Sequence, residues 1–160
     1  TVAINKGADG LIEPFTKRYG GDQMAVRTAF TLAECFLELA KKHAESGEES
    51  LARREIDHAE MLAEALANRR DPDIQAQAEY LLGNLAHEFA NLAKNEETRR
   101  PRYQQALKRF SEIPLEYPDT EFASKAQYKT AQTYEKLGEA ESAVEEYVKL
   151  AYKYPGDELI

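Results

Sequence analysis

Apolar residues spaced three and four positions apart, in six successive stretches, constrain this chain more than any other feature. The first stretch holds Ala25, Val26, Ala29, Phe30, Ala33, Phe36, Leu37 and Ala40. That spacing puts all of them on one stripe of an α-helix. The second holds Leu51, Ala52, Ile56, Ala59, Leu62, Ala63 and Leu66, and the third Tyr80, Leu81, Leu82, Leu85, Ala86, Phe89 and Ala93. Tyr103, Ala106, Leu107, Phe110 and Ile113 form the fourth; the fifth runs from about Glu121 to Leu137; Ala143, Val144, Tyr147, Leu150 and Ala151 form the sixth. Between them stand helix breakers. Gly47 supplies a left-handed turn, Asp71-Pro72-Asp73 stops one helix and starts the next, and Asn95 to Pro101 reads as a polar turn. Pro114 and Pro118 are expected to close the fourth helix, Gly138 the fifth and Pro155 the sixth. Asp22 is the expected N-cap of the first.

Strong helix formers dominate, and runs rich in Val, Ile and Thr that would mark strands are missing. With 21 Lys and Arg against 29 Asp and Glu, the net charge is −8. Phosphate backbones repel such a chain, so nucleic acid is not an expected partner. The run Arg99-Arg100-Pro101-Arg102 is too short to reverse that and reads as a solvated turn. Cys35 is the only cysteine, which excludes an internal disulfide and a multi-cysteine metal site. No apolar run approaches the roughly 18 residues of a membrane helix, so direct membrane insertion is not expected.

The short connections favour antiparallel neighbours. Helices in pairs, repeated along a chain, point to a solenoid. The repeat itself shows at its endings. Leu150-Ala151-Tyr152-Lys153-Tyr154-Pro155-Gly156-Asp157 matches Phe15-Thr16-Lys17-Arg18-Tyr19-Gly20-Gly21-Asp22, and Ile113-Pro114-Leu115-Glu116-Tyr117-Pro118-Asp119 is a third copy. Tyr117 and Tyr154 lie 37 residues apart; Tyr19 and Tyr117 lie 98 apart, room for two longer repeats. In the last unit, Ala131 and Ala143 are small where two helices cross. Tyr134 and Tyr147 fill the space beside them, Gly138 reverses the chain, and Pro155 ends the pair. The preceding unit repeats part of this set in Tyr80-Leu81-Leu82-Gly83, Ala106, Phe110 and Pro118, with about ten extra residues around Asn95 to Arg100 relative to the usual repeat length.

This pattern resembles the tetratricopeptide repeat. The Tyr-Pro endings and slightly long spacing are similar to a branch found in bacterial envelope proteins, such as barrel-assembly lipoproteins and Tol–Pal coordinators. The resemblance implies an all-α, right-handed superhelical solenoid of antiparallel helix pairs, at about 22–70, 73–117 and 121–155, after a partial repeat at 1–20. All would form one tetratricopeptide-like domain over 1–160. A periplasmic or envelope setting follows from the resemblance alone.

In that family the first helix of each pair lines a concave groove, through the residues three before and one after the small crossing residue. With Ala33, Gly83 and Ala131 as crossing residues, the resemblance implies three pairs: Phe30 with Glu34, Tyr80 with Asn84, and Tyr128 with Gln132. Each is an aromatic followed four residues later by a polar side chain, so both share a helix face. One turn on lie Glu38, His87 with Glu88, and Lys136. A ring beside an amide suits an extended peptide or a helix. The rings could equally pack a neighbouring helix. Phe30 and Glu34 stand where a chaperone-tail clamp would want Lys and Asn, so an acidic C-terminal tail is not the expected ligand.

Catalysis has no support. His43, His58 and His87 lie outside any His-Glu-x-x-His pattern, and exposed or capping roles are expected for them. There is no phosphate loop and no nucleophile elbow, and no cofactor or metal is expected. The expected function is a protein–protein scaffold holding a partner's peptide or helix in the groove. The alternative is a structural spacer within a long solenoid, with no specific ligand. Leu11 to Tyr19 looks like the second helix of a repeat, and Pro155 to Ile160 like the start of another. The chain is therefore expected to be a fragment of a longer solenoid, with Tyr147, Leu150 and Tyr154 of its last helix available for self-association.

Overall fold

A computed structural model describes residues 23–156, and among them every regular element is an α-helix. The expectations for Asp22, for the partial repeat at 1–20 and for Asp157 to Ile160 lie outside the described residues. The helices are α1 (Gln23–Glu45), α2 (Glu49–Ala67), α3 (Pro72–Leu92), α4 (Glu96–Glu116), α5 (Phe122–Leu137) and α6 (Ala140–Lys153). They fall into two compact units, one ending at Asn68 and the other beginning at Arg69.

In the first unit, α1 ends on Gly47 at φ 78°. The amide of Gly47 donates to the Ala44 carbonyl (3.0 Å) and that of Glu48 to His43 (2.8 Å), which satisfies the last carbonyls of the helix. The turn folds α2 back against α1. Ala29, Ala33 and Ala40 of α1 and Ala59, Leu62 and Ala63 of α2 are almost fully buried. Small side chains at most of these positions let two helix backbones approach closely. His58 is buried rather than exposed, with its ring 5.1 Å from Phe36 and its Nδ1 3.3 Å from Glu55.

In the second unit each helix packs on the next in sequence, and α3 also touches α5. Asp71 caps α3, its Oδ1 accepting from the amides of Asp73 (3.0 Å) and Ile74 (3.3 Å), with Pro72 as the first helical residue. Ala76, Ala86, Ala106, Phe110, Ile113 and Ala126 form the core, with Tyr80, Tyr117 and Phe122 packed against it. Ala131 of α5 and Ala143 of α6 are both buried, as expected of the small residues in the last helix pair. Gly138, at φ 78°, ends α5 with the same pair of hydrogen bonds that follow α1.

Helix α4 departs from expectation. Asn95 is its N-cap, accepting from the Thr98 amide (2.8 Å), so the residues read as a polar turn and an insertion belong to the helix. The arginine run is helical too. Arg99 donates to the Ala93 carbonyl (2.8 Å), Arg100 pairs with Glu139 (3.3 Å), and the Arg102 guanidinium lies 4.3 Å from the centre of the Phe89 ring. Pro101 and Pro114 sit inside α4, and Pro114 does not close it. Each removes one backbone donor, but the cap at one end and packing on α3 and α5 hold the helix to Glu116.

Candidate partner-binding surfaces

The residues assigned to a groove divide between the two units. Phe30 and Glu34 are on α1; Tyr80, Asn84, His87, Tyr128, Gln132 and Lys136 are on α3 and α5. Phe30 is buried, while Glu34, one turn later, is exposed.

Tyr80 and Tyr128 share one arrangement. The Tyr80 ring lies 5.7 Å from Phe110 of α4, at an interplanar angle of 55°. Tyr128 lies 5.9 Å from Tyr147 of α6, at 59°. Each ring is half-buried, and each is followed one turn later by a half-buried amide side chain, Asn84 or Gln132. Burial raises the Tyr80 hydroxyl above its ordinary range, partly offset by its hydrogen bond with Asn84 and by Lys125. Tyr147 is pushed up to about 12 by desolvation and by Glu135, whose carboxylate accepts from its hydroxyl (3.3 Å). Both phenols are therefore neutral donors at physiological pH. Lys136 is exposed at the end of this row.

His87 is buried, in contrast to the exposed or capping role expected of it. Its Nδ1 faces the Asn91 amide nitrogen at 3.3 Å, and Asn91 accepts from the Tyr103 hydroxyl at 2.6 Å. The His87 and Tyr103 rings meet edge to face at 5.2 Å. The His87 Nδ1 also lies 3.8 Å from the Glu88 carboxylate, and its Nε2 is buried without a hydrogen-bond partner among the described residues.

Two further features of the second unit stand out, the first of them not singled out from the sequence. One is an open cleft of about 610 Å³ between the ends of α4 and α6, with Gln127 of α5 also lining it. Leu115 and Tyr152 stand at its edge, 77% and 85% exposed. Gln127 donates to Glu146, Glu146 pairs with Lys149 (2.6 Å), and Lys153 donates to the Pro114 carbonyl (3.3 Å). The hydrogen bond from Lys149 to Glu146 raises the ammonium above its ordinary range. A signal was present: Leu115 and Tyr152 each stand two residues before the tyrosine of a repeat ending.

The other is the outer face of α6. Of the residues expected to self-associate, Leu150 is buried, and Tyr147 and Tyr154 are half-buried. The large apolar side chains that α6 exposes are Val144, Val148 and Tyr152. Among the described residues, no three His, Cys, Asp or Glu side chains are grouped to hold a metal ion, and no helix is long and apolar enough to cross a membrane. Comparison of the chain with known protein families, curated proteins and solved structures finds no match.

Proposed function

We propose that this chain is a protein-binding scaffold of tetratricopeptide-like helix pairs, stacked as a right-handed superhelical solenoid. Its ligand is a peptide or helix of a partner protein, held along the first helices of the pairs. One observation carries the reading. The aromatic–amide pair occurs twice, Tyr80 with Asn84 and Tyr128 with Gln132, and each ring is braced by an aromatic of the next helix at nearly the same distance and angle. A braced ring loses little entropy on binding, and the amide beside it both donates to and accepts from a peptide backbone. The bacterial envelope setting rests on the resemblance of the repeat endings.

The bracing also favours a second reading, a structural spacer whose rings serve only to hold one helix on another. Affinity capture from an extract of the native host, read by quantitative mass spectrometry, separates the two. The Asn84→Ala/Gln132→Ala variant is run beside the wild-type chain. Partner recovery should fall about tenfold or more, the loss typical of a binding hot spot, while the thermal midpoint moves by only a few degrees. Equal recovery with the two baits would leave the spacer reading standing and the groove reading refuted.

A further inference from the structure

The cleft between the ends of α4 and α6 is chemically lopsided. The single carboxylate among the described residues that line it is Glu146, and both of its oxygens are engaged, one by Gln127 and the other by Lys149. The second cation of the lining, Lys153, forms no ion pair among the described residues. Its one hydrogen bond goes to the Pro114 carbonyl, at 3.3 Å.

That hydrogen bond has a cause in the sequence. A helical carbonyl accepts from the amide four residues on. Four residues after Pro114 stands Pro118, which has no amide hydrogen. The Pro114 carbonyl is therefore left for a side chain, and Lys153 takes it from the last turn of α6. A carbonyl holds the ammonium in place without cancelling its charge. An ammonium has three N–H donors, so two remain for an acceptor that another molecule brings, and Lys153 is exposed enough to be reached. Beside this cation the cleft is apolar: Pro114 is buried in its wall, and Leu115 and Tyr152 stand open at its edge. The acidic residues next to the lining in sequence, Glu112, Glu116 and Glu145, are exposed and lie outside it.

From this we infer that the cleft binds an extended segment of a partner protein that carries a carboxylate two residues away from a large apolar side chain. The carboxylate takes the remaining donors of Lys153, and the apolar side chain lies between Leu115 and Tyr152. The interval follows from backbone geometry, because side chains i and i+2 of an extended peptide share a face. Apolar burial supplies most of the affinity, and the ion pair selects the charge. The net charge of −8 does not oppose this, since exposed charges farther away than about 8 Å are largely screened at physiological ionic strength. The inference adds a second ligand to the scaffold and does not depend on the Tyr80 and Tyr128 pairs.

The probe is a short glycine–serine peptide, capped at both ends, with one leucine and, two positions later, one aspartate. Its control has asparagine in place of the aspartate. Each is titrated into the full 160-residue chain labelled with nitrogen-15, and the amide shifts are followed. The aspartate peptide should saturate with a dissociation constant of about 1 mM or below, shifting Leu115, Tyr152 and Lys153. The asparagine peptide should bind about threefold more weakly, the size of an exposed ion pair. Lys153→Gln should erase that difference, and Lys153→Arg should keep it. Leu115→Ser with Tyr152→Ser should weaken the aspartate peptide about tenfold. Both of those positions are exposed, so this variant keeps its fold even where loss of the Lys153 contact unsettles the end of α4. No saturation, equal binding of the two peptides, a preference that survives Lys153→Gln, or binding indifferent to Leu115→Ser/Tyr152→Ser overturns the inference. Asn84→Ala/Gln132→Ala leaves peptide binding unchanged. Peptide failure with host capture intact therefore sinks the cleft alone, and the converse sinks the groove alone.

Discussion

Gly83 occupies the middle of α3, where glycine costs about 1 kcal/mol relative to alanine in a solvated helix. Its value lies in what it omits. A Cβ built there would come within 2.5 Å of Cε1 of Phe110 and 2.8 Å of Cδ1. Phe110 is fully buried, braced by Tyr80 and surrounded by the core of the second unit, so its ring has little room to retreat. Overpacking therefore outweighs the helix-propensity gain, and Gly83→Ala should destabilise by about 1–3 kcal/mol. Urea unfolding followed at 222 nm checks this. A rise in the midpoint would mean that the contact between α3 and α4 is looser than the geometry shows. The local pattern marks 83 as a small position, since it falls in a Leu-Gly step of the expected repeat. It gave no reason to choose Phe110 as the ring that needs the gap, because that pairing depends on the crossing of two helices.

At the scale of the element, α4 shows why its reading from sequence went astray. Proline is the strongest local signal of a helix boundary, and two prolines with an arginine run read as turns. The outcome was decided by partners distant in sequence or at the helix end. Asn95 caps the first turn, Arg99 reaches back to the Ala93 carbonyl, and Ile113 and Pro114 are buried in the last turns. Pro101 is the clearest case. It is exposed, sits five residues into the helix and cannot donate to the Glu97 carbonyl. Pro101→Ala restores that donor and a better helix former, and it removes no buried contact. It should raise stability by about 1–3 kcal/mol, the lower part of the range because the native backbone already accommodates the ring. Differential scanning calorimetry of the variant gives the answer. A lower midpoint would show that the proline limits the unfolded chain more than it strains the folded one.

At the scale of the whole molecule, helix existence was legible because six apolar stripes carry the period of 3.6, and the left-handed glycines at 47 and 138 mark two of the ends. The site was legible only in part. Tyr80 and Tyr128 could be placed on equivalent faces from Gly83 and Ala131, but how far their neighbours cover the rings depends on contacts no local pattern encodes. The open face of α6 shows the same limit. Its apolar excess was visible in the sequence, yet which of those residues the chain itself covers was not, and Leu150 proved buried where Val144 and Val148 are exposed.

The division at Asn68 and Arg69 leads to the last expectation. The core of Ala76, Ala86, Ala106, Phe110, Ile113 and Ala126 lies wholly within the second unit, as do the pairing of α3 with α4, α4 with α5 and α5 with α6. Its first helix carries its own cap, because Asp71 and Pro72 fall on the same side of the division as α3. Three helices with a shared core and a fourth packed on α5 exceed the size, roughly 40 residues, below which a chain needs disulfides or metals to fold. Residues 69–160, expressed alone, should therefore be helical and melt cooperatively, with coincident transitions by far-UV circular dichroism and tyrosine fluorescence. Gly83→Ala should lower that midpoint as it does in the full chain, since every atom it disturbs is present. A fragment that is unfolded, or that melts without cooperativity, would show that the second unit draws its stability from residues before 69.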